Sequence, residues 1–135
     1  MTPLLLTTVG LINERNEILF IRRANKPFYG LFSLPGGKVE SGELICEAAA
    51  REINEELGID ISDKIQPFGY KELQIPGHAL VFVFTCQIYS NTEFVPSVRE
   101  VEETLWVKEE ELTTLGELPP NHQVVAEYIF SGVEK

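Results

Sequence analysis

The stretch GGKVESGELICEAAAREINEELGI, Gly36 to Ile59, sets a glycine pair ahead of a run that carries six glutamates. Three of them, Glu52, Glu55 and Glu56, fall within five positions. Residues 43 to 57 have the pattern of an amphipathic helix. Ser41 is a candidate cap, Glu43 suits the positive end of the dipole, and Gly58 suits the left-handed position after the last turn. At 100° per residue the three glutamates share an arc of roughly 100°. Cys46, Ala49, Ile53 and Leu57 take the adjoining arc and can face a core. The acidic patch then lies at the rim of the buried side.

Like charges at this spacing cost on the order of 0.2–0.5 kcal/mol per pair when solvated, and more inside a cleft. A solvated acidic face would tolerate that. So would a divalent cation held in a cleft, and carboxylates without His or Cys neighbours suit Mg²⁺ or Mn²⁺ rather than zinc. Two neighbouring features favour the second reading. Leu34-Pro35-Gly36-Gly37 lets backbone approach a ligand closely. Arg51 stands one position before Glu52 and one turn before Glu55, where a guanidinium can fix a carboxylate's pose.

Working outward, Leu4–Leu6 and Val9–Ile12 read as strand, as does Ile18–Arg23 beyond the turn at residues 13–17. Residues 24–37 read as a loop rich in Pro, Gly and aromatics. Residues 65–75 and 78–89 read as paired strands joined by a Pro-Gly turn. Leu105–Val107 is a further strand, Glu109–Leu112 a short helical turn, and residues 119–132 a closing helix with prolines in its first turn. Strands interspersed with a few helices point to an α/β or α+β sandwich.

The composition narrows the class. A length of 135 residues suggests one domain, spanning 1–135, with 44% apolar and 24% charged residues as in ordinary globular chains. A net charge of −10 argues against a nucleic-acid polymer as partner. Two cysteines are too few for a disulfide framework, and no run is long enough to span a membrane, so the expected location is the cytoplasm.

From Gly37 through Glu43 to Arg51-Glu52-Ile53-Asn54-Glu55-Glu56-Leu57-Gly58-Ile59, the chain resembles the Nudix box, G-x5-E-x7-R-E-U-x-E-E-x-G-U with U aliphatic, at every fixed position. The preceding LPGG and a Glu103-x-x-Trp106 extend the likeness. The resemblance implies an α/β/α sandwich around a mixed sheet and metal-dependent hydrolysis of a nucleoside diphosphate linked to another group. It implies Glu55 and Glu56 as principal metal ligands, Glu52 as a further ligand or the base, and the Gly36 carbonyl as a ligand. Arg51, Gly37 and Glu43 then orient and support the site. A second candidate base lies in the loop before Trp106, where Glu100 is preferred to Glu102 and Glu103. Homodimers occur in this family.

Substrate contacts are less sharply marked. Arg22 and Arg23 end a strand, and one of them, Arg23 by preference, suits a phosphate. Phe28, with Tyr29 and Phe32, suits either stacking on a base or packing. Phe82 and Phe84 share a strand face and belong to the core or the pocket wall. Leu118-Pro119-Pro120-Asn121 resembles the segment with which mutator-type Nudix enzymes read an oxidised guanine, and Asn121 fits either that role or a helix cap. His122 reads as a surface residue. The expected substrate is a nucleoside triphosphate, split to monophosphate and pyrophosphate. An ADP-sugar such as ADP-ribose is the alternative, to which Pro76 loosely points, and a nucleotide sensor without catalysis is a third reading.

Overall fold

The computed structural model describes residues 3–74 and 77–133, so Pro76 and the start of its turn lie outside the described residues. Strand β1 (Leu4–Ile12) runs antiparallel to β2 (Ile18–Arg23), which carries the short β3 (Phe32–Ser33) and β7 (Val101–Val107). On its other flank β1 lies parallel to β6 (Ala79–Gln87), in register from Leu4↔Ala79 to Ile12↔Gln87. β6 pairs antiparallel with β5 (Gln66–Leu73), and β4 (Gly36–Lys38) pairs antiparallel with the start of β1. The sheet is mixed. Helix α1 (Ile45–Leu57), a 3-10 turn (Glu109–Leu115) and α2 (His122–Ser131) complete the fold.

Alternation along the strands divides the interior into two layers. Val9, Leu11, Leu19, Ile21, Phe84 and Cys86 pack with Ala49, Ile53 and Leu57 of α1. Ile18, Phe20, Val81 and Val83 face the other way, onto Val125, Ala126, Ile129 and Phe130 of α2. That is why Ile18–Ile21 of β2 reads as a continuous apolar run, as strands covered on both faces do. Ile53 and Leu57 have no exposed surface, and each such burial stabilises by roughly 1.5–3 kcal/mol. The expected α/β/α sandwich is present. Phe84 is in the core, with Phe82 packed against the same layer.

Several boundaries differ from the sequence reading. The stretch expected as loop contains β3 and β4, brief segments that exist through pairing with β2 and β1. β7 begins at Val101, four residues before the expected strand, because it gains a ladder along the edge of β2. Ser41 does not cap α1: the helix begins after Leu44, whose N–H donates to the Glu47 carboxylate at 2.9 Å. Glu43 is instead drawn to Arg51. Gly58 takes the left-handed conformation (φ 71°), and a Cβ there would meet Val95. Asn121 precedes α2 with φ 71°, and its side chain makes no capping bond. Among the described residues no helix is long and apolar enough to cross a membrane.

Candidate active site

β4 is held between β1 and the acidic helix. Its backbone is fixed to β1, where the Thr7 hydroxyl donates to the Gly37 carbonyl at 3.2 Å. A Cβ at Gly36 would sit 2.1 Å from the Thr7 carbonyl oxygen, and φ there is +150°, so only glycine permits this pairing. A Cβ at Gly37 would lie 2.4 Å from the carboxyl carbon of Glu52. The acidic helix therefore packs side chain against bare backbone.

Arg51 organises that contact. Its Nε and Nη2 grip Glu43 at 2.7 and 3.1 Å, and Nη2 also donates to the Lys38 carbonyl at 3.0 Å. Nη1 donates to Glu52 at 2.9 Å and to both oxygens of Glu55 at 3.2 Å. A forked, delocalised cation can serve all of these at once, which an ammonium cannot. The hydrogen bonds from Arg51 hold the Glu43 carboxyl below its ordinary range. Donating to Glu43 in turn raises the guanidinium's own proton affinity.

Glu56 differs from its neighbours. It is 5% exposed and receives the Gly36 N–H at 3.1 Å. Burial, and then the nearby charge of Glu52, push its carboxyl well above the ordinary value. Glu52 is raised as well, chiefly by burial, despite its bond to Arg51. Glu55 is about half exposed.

The loop before β7 closes on this cluster. Val95 and Ser97 donate backbone N–H groups to the Leu57 and Glu56 carbonyls, and the Glu100 carbonyl receives Ala24 N–H at 3.0 Å. The Glu100 carboxylate then acts electrostatically on both Glu52 and Glu56. Glu102 and Glu103 engage Arg22 instead, at 3.8 and 3.2 Å, and the Tyr29 hydroxyl hydrogen-bonds Glu102.

A cavity of about 510 Å³ opens against β4. Gly36 and Gly37 line it together with Arg23, Phe28, Asn121 and His122. Phe28 is 43% exposed, in a left-handed conformation, so it stands at the surface of the cavity rather than in the core. Phe32 packs in the α2 layer, beneath the Arg22 guanidinium. Arg23 is held by the Pro27 carbonyl at 2.7 Å and by Asn25, and its charge reaches Glu56.

His122 is not the surface residue that the sequence suggested. Its Nδ1 accepts the Leu34 N–H at 3.1 Å, and burial lowers its pKa to about 4. The partner lies 88 positions away, so no local signal could have marked it. Thr7, Thr8 and Lys38 also line the cavity unannounced, placed there by the pairing of β1 with β4.

Among the described residues, no three Asp, Glu, His or Cys side chains converge on one point as a ready-made cation shell. The donors nonetheless suit a hard divalent ion. Glu52, Glu55, Glu56 and the Gly36 carbonyl offer only oxygen, and Glu56 is a buried carboxylate facing like charges.

Comparison with known proteins agrees with this geometry. The NUDIX domain family model matches residues 4–129. An ADP-ribose pyrophosphatase of Methanocaldococcus jannaschii is 40% identical over 81 residues, covering 58% of this chain and 48% of that protein. The NAD-capped RNA hydrolase NudC of Stutzerimonas stutzeri is 30% identical, over 94% of this chain and 44% of its own length. The chain thus spans about half the length of the curated relatives it matches. The solved MutT NUDIX hydrolase of Burkholderia pseudomallei superposes with a TM-score of 0.80 at 24% identity, covering 96% of this chain and 99% of that one. By sequence motif, by layer order and by the family match over nearly its whole length, the chain belongs to the Nudix hydrolase family.

Proposed function

We propose that this chain hydrolyses the pyrophosphate linkage of a nucleoside diphosphate derivative, with a purine nucleoside triphosphate as the leading substrate, yielding monophosphate and pyrophosphate. One observation carries the reading: the three-residue β4 touches the acidic helix, through Gly36 N–H to Glu56 and Gly37 against Glu52, and also lines the cavity, so a nucleotide there would lie one short strand from the carboxylates.

Glu55 and Glu56, with Glu52 and the Gly36 carbonyl, would hold Mg²⁺, for which Mn²⁺ can substitute. When bound, the ion neutralises charge on the phosphoryl oxygens and helps to activate water. Water adds to a phosphorus of the anhydride, the bridging P–O bond breaks, and the proton of water passes to a carboxylate. Glu52, posed by Arg51, and Glu100, arriving from the facing loop, are the two candidates for that base. Glu43 keeps Arg51 in place. Arg23 meets a phosphate, Phe28 stacks on the base, and Asn121 hydrogen-bonds its edge.

The M. jannaschii relative's name favours a second reading, an ADP-ribose pyrophosphatase. A screen of purified protein with Mg²⁺ against nucleoside triphosphates, oxidised purine nucleotides, ADP-ribose and dinucleoside polyphosphates separates the two by products. Turnover should fall by orders of magnitude in Glu56→Gln and Glu55→Gln. Full turnover in both variants would overturn the assignment.

A further inference from the structure

The cavity holds one polar group whose chemistry is fixed by the fold rather than by its own side chain. The Leu34 N–H donates to Nδ1 of His122, so that nitrogen must be bare. A neutral imidazole then carries its proton on Nε2 and offers a donor there. Burial and the charge of Arg23 keep the ring neutral, with a pKa of about 4. Among the described residues no partner occupies Nε2, nor is that nitrogen sealed from the surface. His122 lines the cavity beside Asn121.

The remaining polar side chains of the lining tilt the same way. Arg23 and Lys38 only donate, while Thr7, Thr8 and Asn121 can do either, and among the described residues no carboxylate lines the cavity. A 6-amino group facing Nε2–H would set donor against donor. A 6-oxo group would accept.

We propose that His122 is a specificity-determining residue, its Nε2–H reading a carbonyl on the base so that 6-oxopurine nucleotides are preferred to 6-aminopurine nucleotides. The inference rests on the cavity being the base site of the proposed nucleotide reaction. It also bears on the two substrate readings, since ADP-ribose carries a 6-amino base.

Equilibrium binding of inosine and adenosine 5′-monophosphates without added metal tests it. One hydrogen bond of this kind contributes roughly a threefold to tenfold preference, so the unaltered protein should bind inosine monophosphate tighter by about that factor. His122→Asn keeps an acceptor at the Nδ1 place for Leu34 and, being shorter, leaves no donor at the Nε2 place, so the preference should disappear while the unfolding midpoint changes little. His122→Gln places an amide near Nε2 that can present either donor or acceptor, so inosine binding should persist and adenosine binding should rise. A preference unchanged in both variants, a native preference for adenosine, or no binding of either nucleotide would each overturn the proposal. Inosine preference that depends on His122 in a protein without Mg²⁺-dependent turnover would uphold it and defeat the hydrolytic reading alone.

Discussion

Replacing His122 by asparagine should change how the protein responds to acid. Above pH 6.5 the imidazole is neutral whether the chain is folded or not, and protonation contributes nothing to stability. Between 6.5 and about 4 the unfolded chain takes up a proton that the folded one refuses, because the ring is largely desolvated, bonded to Leu34 N–H and close to the Arg23 charge. Stability is therefore full above the unfolded value and falls as the pH is lowered toward the folded one. At about 1.4 kcal/mol per pH unit, the drop from 6.5 to about 4 amounts to ~3 kcal/mol. Carboxylates titrate over part of the same range, so the unaltered protein alone does not isolate the effect. The difference between it and His122→Asn does, since the variant keeps the acceptor and has no ring to protonate. Urea unfolding at pH 7.5, 5.5 and 4.5 should show the unaltered protein losing about 2.5 kcal/mol more than the variant across this span. The chain has two histidines, so NMR titration of the ring protons gives an independent reading. Equal acid sensitivity in the two proteins, or a His122 ring that titrates near 6.5, would refute the reasoning.

Arg51→Lys should cost ~1–3 kcal/mol in urea unfolding and lower kcat at least tenfold, because one ammonium cannot replace the forked grip on Glu43 together with Glu52 and Glu55. Gly37→Ala should displace the Glu52 carboxylate, which a Cβ would approach to 2.4 Å, and so cut turnover sharply while costing only ~1–3 kcal/mol of stability. Parallel kinetics and unfolding curves check both variants. Asn121→Ala should weaken discrimination among purine bases with little effect on the unfolding midpoint, since its side chain makes no capping bond; unchanged base preference would remove it from the base site.

Where local chemistry decides the backbone, the sequence was informative. The core-facing Ala49, Ile53 and Leu57 of α1, the left-handed Gly58 and the shared face of Phe82 and Phe84 follow from periodicity and from a single glycine, and the structure places each as read; Cys46, expected on the same arc, is instead exposed in the first turn, where Ile45 packs on the core. Elements defined by distant partners were not legible. β3 and β4 are too short to show a pattern of their own, and the polar Val101–Thr104 becomes strand because β2 offers it an edge. The start of α1 was misplaced because Arg51 captures Glu43 from two turns along the helix, leaving Glu47 to serve Leu44. The acidic half of the site was visible in its spacing. Its cavity half was visible only in part: Arg23, Phe28 and Asn121 have local cues, whereas His122 acquires its character from a peptide group on the far side of the chain.

The separation of the interior into two layers has an evolutionary consequence. The carboxylate machinery belongs to the helix on one side of the sheet, whereas Asn121 and His122 enter from the helix on the other. On the proposed function, residues at the head of the final helix can be exchanged without rebuilding the carboxylate cluster of α1. Diversification toward new bases would then proceed by small edits in one half of the molecule, while the other half is inherited nearly intact.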